Sequence, residues 1–178
     1  AQISVMVYIC SLKKRTKSLE NTQATILPVS FASNFKELTK VRLSVSVVFS
    51  SLAGYLLAAD SINFKILLLL AIGGYCMVGA SNAYNQIIER DLDALMFRTQ
   101  TRPIPSGRMS VNSALLIAVV LTLLGIGILY SINPKTAMFA AISIFIYTSI
   151  YTPLKLKTPL SVFIGAIPGA IPFMLGWV

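Results

Sequence analysis

Long apolar stretches alternate with short polar connections along this chain. A helix needs about 20 mostly apolar residues to cross about 30 Å of hydrocarbon. Five stretches meet or approach that length, and we predict a membrane-spanning helix in each of 43–59, 66–88, 111–131, 136–152 and 160–178. The pattern therefore predicts an all-α fold, a polytopic transmembrane helical bundle in 43–178 preceded by a basic cytoplasmic tail in 1–42.

Composition supports a membrane location. The chain is 56% hydrophobic and only 12% charged, and its mean hydropathy is +0.77. A water-soluble domain of this size needs far more polar surface. The net charge of +9 matches contact with the anionic lipids of a bilayer. We do not expect nucleic-acid binding, because no aqueous domain remains to present a basic surface.

The distribution of basic residues predicts the orientation. Cytoplasmic loops beside membrane helices are enriched in Lys and Arg. The first and third connections hold one basic residue each, Lys65 and Lys135. We therefore predict that the amino terminus and the even-numbered connections are cytoplasmic. The basic residues on that side are Lys13, Lys14, Arg15, Lys17, Lys36, Lys40, Arg42, Arg90, Arg98, Arg102, Arg108, Lys155 and Lys157.

Several common chemistries are excluded. The chain has no histidine, so neither a zinc site of the HExxH kind nor a Ser-His triad is available from these residues. The two cysteines are Cys10 and Cys76. We assign them neither a disulfide nor a metal, because Cys76 lies in a predicted span.

The fifth apolar stretch, TPLSVFIGAIPGAIPFMLGW, is rich in proline and glycine. It predicts a helix that is bent or interrupted. Broken backbone at membrane depth persists only where neighbours or a cavity satisfy the freed carbonyls. The segment therefore either lines a pocket or is an ordinary proline-kinked span.

Acidic residues concentrate after the second predicted span. Three of the six in the chain lie between Glu89 and Asp93. If the span continues as a helix, Asn85, Glu89 and Asp93 are four residues apart and share one face over about 12 Å. Asp91 points the other way in such a helix and is a second-rank candidate.

This face suits a divalent cation. Like charges at i and i+4 repel, and leaving them unpaired near a membrane is destabilising. Mg²⁺ binds through one or two carboxylates together with waters and substrate phosphate oxygens, so we predict Glu89 and Asp93 as metal ligands supported by Asn85. Arg98 and Arg102 follow and suit phosphate oxygens, which completes a predicted magnesium diphosphate site. The alternative is a polar loop whose acids and arginines pair with one another.

A second polar group follows the fourth predicted span. Tyr147 and Tyr151 are four residues apart, and Lys155 and Lys157 come next. Interfacial tyrosines normally form an aromatic belt, and lysines there normally follow the charge rule. The alternative is that the lysines hold the diphosphate, with the tyrosines as second-rank site candidates, because both cytoplasmic connections open onto the same side.

The stretch NQIIERDLDALMFRTQTRPIPSGRMS resembles the first signature of the UbiA superfamily of intramembrane prenyltransferases, NxxxDxxxD followed by an arginine-rich, proline-containing loop. Asn85, Glu89 and Asp93 fall on the three signature positions, and Glu89 replaces the commoner Asp. Within that superfamily, RTQTRPIPSGR and YTPLKLKTPLSVFIGAIPGAIPFMLGW resemble the protohaem IX farnesyltransferases. The likeness covers about 40–178.

The resemblance implies a UbiA-type bundle with a central cavity, of which this chain holds about five spans, in the bacterial inner membrane. It implies an enzyme that transfers a farnesyl group from farnesyl diphosphate to a vinyl group of haem B, giving haem O, with Mg²⁺ as cofactor and haem A synthase as a further partner. The implied second acidic motif is absent from 1–178, so we expect this stretch alone to be inactive.

Two other functions stay open. A prenyltransferase of the same superfamily acting on a quinone or chlorophyll-type acceptor would share the diphosphate site and differ in the acceptor pocket. A carrier or channel for a phosphorylated solute would use the same charges for binding and would catalyse nothing.

Overall fold

The computed structural model describes residues 30–155 and 158–177, and this part of the chain is helical with no β-strand. Residues 1–29, which are most of the predicted tail and include Cys10, lie outside the described residues. Lys157 also lies outside them. Residues 32–178 form one compact unit, which includes the end of the predicted tail. The helices are α1 (Phe31–Leu38), α2 (Val41–Ala58), α3 (Phe64–Ile88), α4 (Arg90–Leu95), α5 (Val111–Tyr130), α6 (Pro134–Leu154) and α7 (Ser161–Trp177).

Four of these helices, α2, α3, α5 and α6, are long and apolar enough to cross a membrane. They confirm the first four predicted spans, with each end within two residues of its predicted position. Helix α7 is apolar but has 17 residues, so a helix is confirmed in the fifth stretch while its described length is short for a span. Large apolar side chains cover the outer surface, as in Phe49, Leu57, Leu123 and Phe163.

Side-chain caps set where three of the spans begin. The side chain of Asn63 accepts hydrogen bonds from the first amides of α3, and that of Ser110 accepts one from Ser113 at the start of α5. Asn133 caps α6 in the same way, and Pro134 follows it at the first helical position. Caps of this kind satisfy amides that have no partner within the helix. The first three predicted connections therefore end where a polar capping residue precedes an apolar run.

Small residues allow the helices to approach closely, as the sequence predicts for spans in lipid. A Cβ on Gly73 of α3 would lie 2.9 Å from the Leu129 side chain of α5, and one on Gly125 of α5 would lie 2.8 Å from Met77 of α3. Helices α2 and α7 touch backbone to backbone, because a Cβ on Gly54 would meet the carbonyl of Phe173. This crossing fixes α7 against α2.

Helix α7 is not interrupted, contrary to one expectation from its prolines. It runs as one helix through Pro168 and Pro172. Its neighbour α6 contains the local irregularity instead, because Ile146–Tyr151 forms a π-helical segment. Pro153 follows this segment and has no amide hydrogen to donate, so a widened turn accommodates it. The hydroxyl of Thr148 donates to the Ile144 carbonyl at 2.7 Å and so satisfies one carbonyl of the disturbed ladder.

Candidate active site

The end of α3 brings three polar side chains together. The helix stops at Ile88, Glu89 has φ −93° and ψ 4°, and α4 begins at Arg90, so the prediction of one uninterrupted helix is wrong at this residue. The four-residue spacing nevertheless survives. The Glu89 amide donates to the Asn85 carbonyl at 3.0 Å, and the Asp93 amide donates to the Glu89 carbonyl at 2.8 Å.

All three of these side chains are buried. Counted over the whole residue, the exposed fractions are 2% for Asn85, 7% for Glu89 and 4% for Asp93. Two carboxylates on one buried face repel each other and lose hydration, so each requires a partner. The structure supplies a different cation for each carboxylate.

Glu89 pairs with Lys155, which lies just after α6. The Lys155 Nζ is 2.5 Å from Glu89 Oε1, and Asn85 Nδ2 donates to Glu89 Oε2 at 2.9 Å. The Asn85 Oδ1 in turn accepts from Lys155 Nζ at 3.3 Å and lies 3.2 Å from the Thr152 hydroxyl. The amide is thus oriented with its donor toward the carboxylate and its acceptor toward the cation.

Asp93 pairs with Arg102, from the loop between α4 and α5. The Arg102 Nη1 donates to Asp93 Oδ2 at 2.6 Å. The loop is also tied to the same residue through its backbone, because the Thr99 hydroxyl donates to the Asp93 carbonyl at 3.0 Å. The pairing of acids with an arginine that the alternative interpretation predicts is therefore present in this structure.

Two predicted residues stand apart from this cluster. Arg98 is exposed and makes no hydrogen bond or ion pair with any described residue. Asp91 is exposed and lies 3.3 Å from the Nε of Arg90.

Arg108 has a structural role: it lies 2.8 Å from Glu37 of α1 and donates to Asn34 at 3.1 Å, which ties the loop to α1.

Lys40, which the sequence places in the basic tail, is a further charged residue near the cluster. It lies in the corner between α1 and α2 with φ 49°, a left-handed conformation that side chains rarely adopt. Burial lowers the pKa of the Lys40 ammonium, and the positive charges of Arg102 and Lys155 lower it further, while Glu89 and Asp93 act in the opposite direction. The ammonium therefore lies within the field of all four charges of the site.

Amide side chains of α3 hold this corner. Asn82 Nδ2 donates to the Thr39 carbonyl at 3.3 Å, and Gln86 Nε2 donates to the Leu38 carbonyl at 2.9 Å. Both side chains are buried. A left-handed backbone conformation in a residue other than glycine costs on the order of 1 kcal/mol. The hydrogen bonds to the Leu38 and Thr39 carbonyls offset that cost and position the backbone that leads into Lys40.

The predicted tyrosine pair lies beside the cluster. The rings of Tyr147 and Tyr151 are stacked with centroids 5.1 Å apart, and Lys155 Nζ is 5.6 Å from the Tyr151 centroid, within range of a cation–π interaction. Gly165 of α7 makes room for the ring, because a Cβ there would lie 2.7 Å from Tyr151.

An apolar cavity of about 240 Å³ begins next to this cluster. It lies among α2, α3, α6 and α7, with Asn82 and Tyr147 at the end nearest the charges and Leu175 at the other end. Pro168 and Pro172 line it. Of the two interpretations of the fifth stretch, the structure therefore supports the one in which it lines a pocket.

Residues 47–178 match the UbiA prenyltransferase family. The chain belongs to this family. The resemblance drawn from the acidic motif is confirmed, and so is the all-α membrane fold. With its apolar helices, this UbiA protein is an integral membrane protein.

Two curated relatives are named protoheme IX farnesyltransferase. That of Christiangramia forsetii is 69% identical over 160 residues, which cover 90% of this chain and 53% of the relative. That of Flavobacterium psychrophilum is 69% identical over 158 residues, which cover 86% of this chain and 53% of the relative. The chain thus spans about half the length of the curated relatives it matches.

Solved structures agree on the fold. A digeranylgeranylglyceryl phosphate synthase has a TM-score of 0.75 and 23% identity, covering 82% of this chain and 52% of that one. A UbiA homologue from Archaeoglobus fulgidus bound to DMAPP and Mg²⁺ has a TM-score of 0.72 and 18% identity, covering 82% of this chain and 54% of that one. At these identities the likeness establishes the UbiA fold alone.

The donor atoms of the cluster fit Mg²⁺. Within the described residues no group of three or more His, Cys, Asp or Glu side chains could enclose a metal ion. Glu89, Asp93 and Asn85 offer only oxygen ligands, which hard cations prefer. Mg²⁺ typically takes one or two carboxylates and completes its shell with water and phosphate oxygens. The cluster therefore suits a metal that arrives together with a phosphorylated ligand.

Proposed function

We propose that this UbiA chain forms the diphosphate-binding part of a protohaem IX farnesyltransferase. The enzyme would transfer the farnesyl group of farnesyl diphosphate to a vinyl group of haem B and give haem O. One observation carries the proposal: a buried amide and two buried carboxylates, each carboxylate paired with a cation, lie beyond the Asn82 end of an apolar cavity, and Asn85 is about one helical turn from Asn82. A charged head and an isoprenoid tail require that combination. The choice of acceptor rests on the 69% identical relatives.

Binding of the diphosphate would exchange partners within the cluster. Lys155 and Arg102 already lie within hydrogen-bond distance of the two carboxylates, so an incoming anion meets cations that are in place. Lys40 adds a third positive charge to the same field. Glu89 and Asp93, released from these pairs, would hold Mg²⁺, with Asn85 orienting Glu89. When bound, Mg²⁺ neutralises part of the negative charge of the diphosphate.

The chemistry follows from this arrangement. The allylic carbon–oxygen bond breaks, and the diphosphate leaves with the electron pair. Lys155, Arg102 and Lys40 stabilise the charge that develops on the leaving group. The apolar cavity keeps bulk water from the allylic cation, and Tyr147 lines it at the end nearest the diphosphate. The terminal carbon of the haem vinyl group forms the new carbon–carbon bond, and water adds to the neighbouring carbon with loss of a proton.

The site end of the bundle carries the basic residues that flank the spans, whereas Lys65 and Lys135 lie at the opposite end. By the positive-inside rule we propose that the site faces the cytoplasm of a bacterial inner membrane. Haem A synthase stays a predicted partner, since it would consume haem O.

The test is turnover by the full-length gene product in lipid nanodiscs with farnesyl diphosphate, haem B and Mg²⁺. We expect the enzyme to release diphosphate and to form haem O. A phosphate assay measures the released diphosphate, and chromatography of haems measures haem O. Release of diphosphate only when a quinone precursor replaces haem B would indicate the other prenyltransferase activity. Binding without any release would indicate a carrier, and either result would contradict the proposal.

A further inference from the structure

Two cavities are stacked along the bundle and share one residue. The apolar cavity beside the site ends at Leu175 of α7. A second cavity of about 250 Å³ begins on the other side of the same residue, where Ala58, Leu70 and Trp177 line it. Leu175 is buried, with 8% of its surface exposed, and belongs to the main apolar cluster. Among the described residues, Leu175 is therefore the one residue that lines both spaces.

Leu175 lies where α7 packs most closely on α2. The next residue, Gly176, packs so closely on α2 that a Cβ would meet the Ser51 carbonyl and the Tyr55 amide. The crossing at Gly54 lies at the same level of α2. Helix α7 is thus in direct backbone contact with α2 beside Leu175, and this contact positions the Leu175 backbone between the two cavities.

The depth of the first cavity sets a length. Along α3, the site lies at Asn85 and the last lining residue is Gly74, a separation of about 16 Å at 1.5 Å per residue. An isoprene unit adds four bonds of about 1.5 Å in a zigzag chain, or about 5 Å. Three units extend about 15 Å, and a fourth would pass Leu175.

We propose that Leu175 is the floor of the isoprenoid pocket and limits the chain to three isoprene units. The inference rests on the proposed function, since it takes the occupant of the cavity to be the tail of a prenyl diphosphate. It adds that the choice of farnesyl over geranylgeranyl is made by this residue. Removing the side chain would join the two cavities and admit a fourth unit.

The test is affinity for prenyl thiolodiphosphates of two, three and four units, in which sulfur replaces the bridging oxygen so that no turnover occurs. The full-length gene product in nanodiscs with Mg²⁺ is titrated by calorimetry. The wild-type protein should bind the farnesyl compound more tightly than the geranylgeranyl compound. Leu175→Ala should lower this preference by at least about tenfold, because discrimination of one methylene is already worth about tenfold or more.

Matched variants separate the role of Leu175 from general packing. Leu175→Met keeps a side chain of similar volume and should keep the preference. Leu129→Ala removes a leucine from the same apolar cluster that lines neither cavity, so it should lower thermal stability and leave the preference unchanged. If the Leu175→Ala protein does not insert into the membrane, Leu175→Val should lower the preference for the farnesyl compound in the same direction by a smaller amount.

The failures are distinguishable. Equal wild-type affinity for the farnesyl and geranylgeranyl compounds would overturn the inference while leaving the proposed function standing. An unchanged preference in Leu175→Ala or Leu175→Val would do the same. If none of the compounds binds to the wild-type protein, the proposed function itself is wrong, and the inference falls with it.

Discussion

Lys155→Met is the substitution that tests the charge balance of the site most sharply. The wild-type ammonium lies 2.5 Å from Glu89 Oε1 and also donates to Asn85 at 3.3 Å. Removing it leaves the Glu89 carboxylate buried with Asn85 as its one remaining hydrogen-bond donor among the described residues. An unpaired buried charge of this kind is strongly destabilising.

The expected magnitude follows from the exposure of the two partners. Breaking a fully buried pair costs about 3–5 kcal/mol. The Lys155 side chain is 28% exposed and that of Glu89 9%, so water screens part of the loss, and we expect about 2–3 kcal/mol in the free energy of unfolding. Lys65→Met, at an exposed lysine near the other end of the bundle, should stay within about 0.5 kcal/mol.

The assay is a double-mutant cycle. Urea unfolding in detergent micelles, followed by far-ultraviolet circular dichroism, is measured for Lys155→Met, Glu89→Gln and the double variant. Because Gln leaves no charge to strand, the double variant should be more stable than Lys155→Met alone, with a coupling of at least about 1 kcal/mol. Additive effects, or a loss below about 0.5 kcal/mol in Lys155→Met, would show that Lys155 does not compensate the buried charge of Glu89.

Three further outcomes are expected. Gly176→Ala should lower the free energy of unfolding by about 1–3 kcal/mol, since its Cβ meets α2 backbone atoms. Gly169→Ala should be near neutral, because a Cβ there meets nothing within 4 Å. Equal effects of the two substitutions would contradict the close crossing of α2 and α7. The pKa of Lys40 is lowered from its ordinary value of 10.5. The stability of the wild-type protein relative to Lys40→Met should therefore rise as pH increases through the lowered pKa toward 10.5. If this relative stability falls instead, the pKa of Lys40 is shifted upward. Arg102→Lys should weaken binding of farnesyl thiolodiphosphate by at least about tenfold, because the planar guanidinium with its two parallel donors is lost. Arg42→Lys is the control, and equal affinities of the two variants would show that Arg102 does not bind the diphosphate.

The membrane helices were predictable because their signal is local. A run of apolar residues of sufficient length has few alternatives in a bilayer, and capping residues such as Asn63 and Ser110 mark where such runs begin. The four-residue spacing of Asn85, Glu89 and Asp93 is local in the same sense. It survives a break in the helix at Glu89 because the backbone hydrogen bonds on either side are kept.

The partners of the acidic face depend on tertiary contacts and were harder to predict. Arg98 and Arg102 look equivalent in the sequence. Only the turn fixed by Thr99 on the Asp93 carbonyl brings Arg102 to the carboxylate. Lys40 lies far from the motif in the chain, and its left-handed backbone has no sequence signal, since glycine is the residue that normally marks such a conformation. The role of Asn82 and Gln86 in holding that corner has no local signal either.

The metal site is tested directly by electron paramagnetic resonance of Mn²⁺ added to the full-length gene product in nanodiscs. Mn²⁺ shares the oxygen-ligand preference of Mg²⁺. With farnesyl thiolodiphosphate present, we predict a bound Mn²⁺ signal in the wild-type protein. The isosteric variants Glu89→Gln and Asp93→Asn should lower Mn²⁺ affinity by at least about tenfold each. Wild-type Mn²⁺ affinity in the combined variant would contradict the claim that these two buried carboxylates hold the metal.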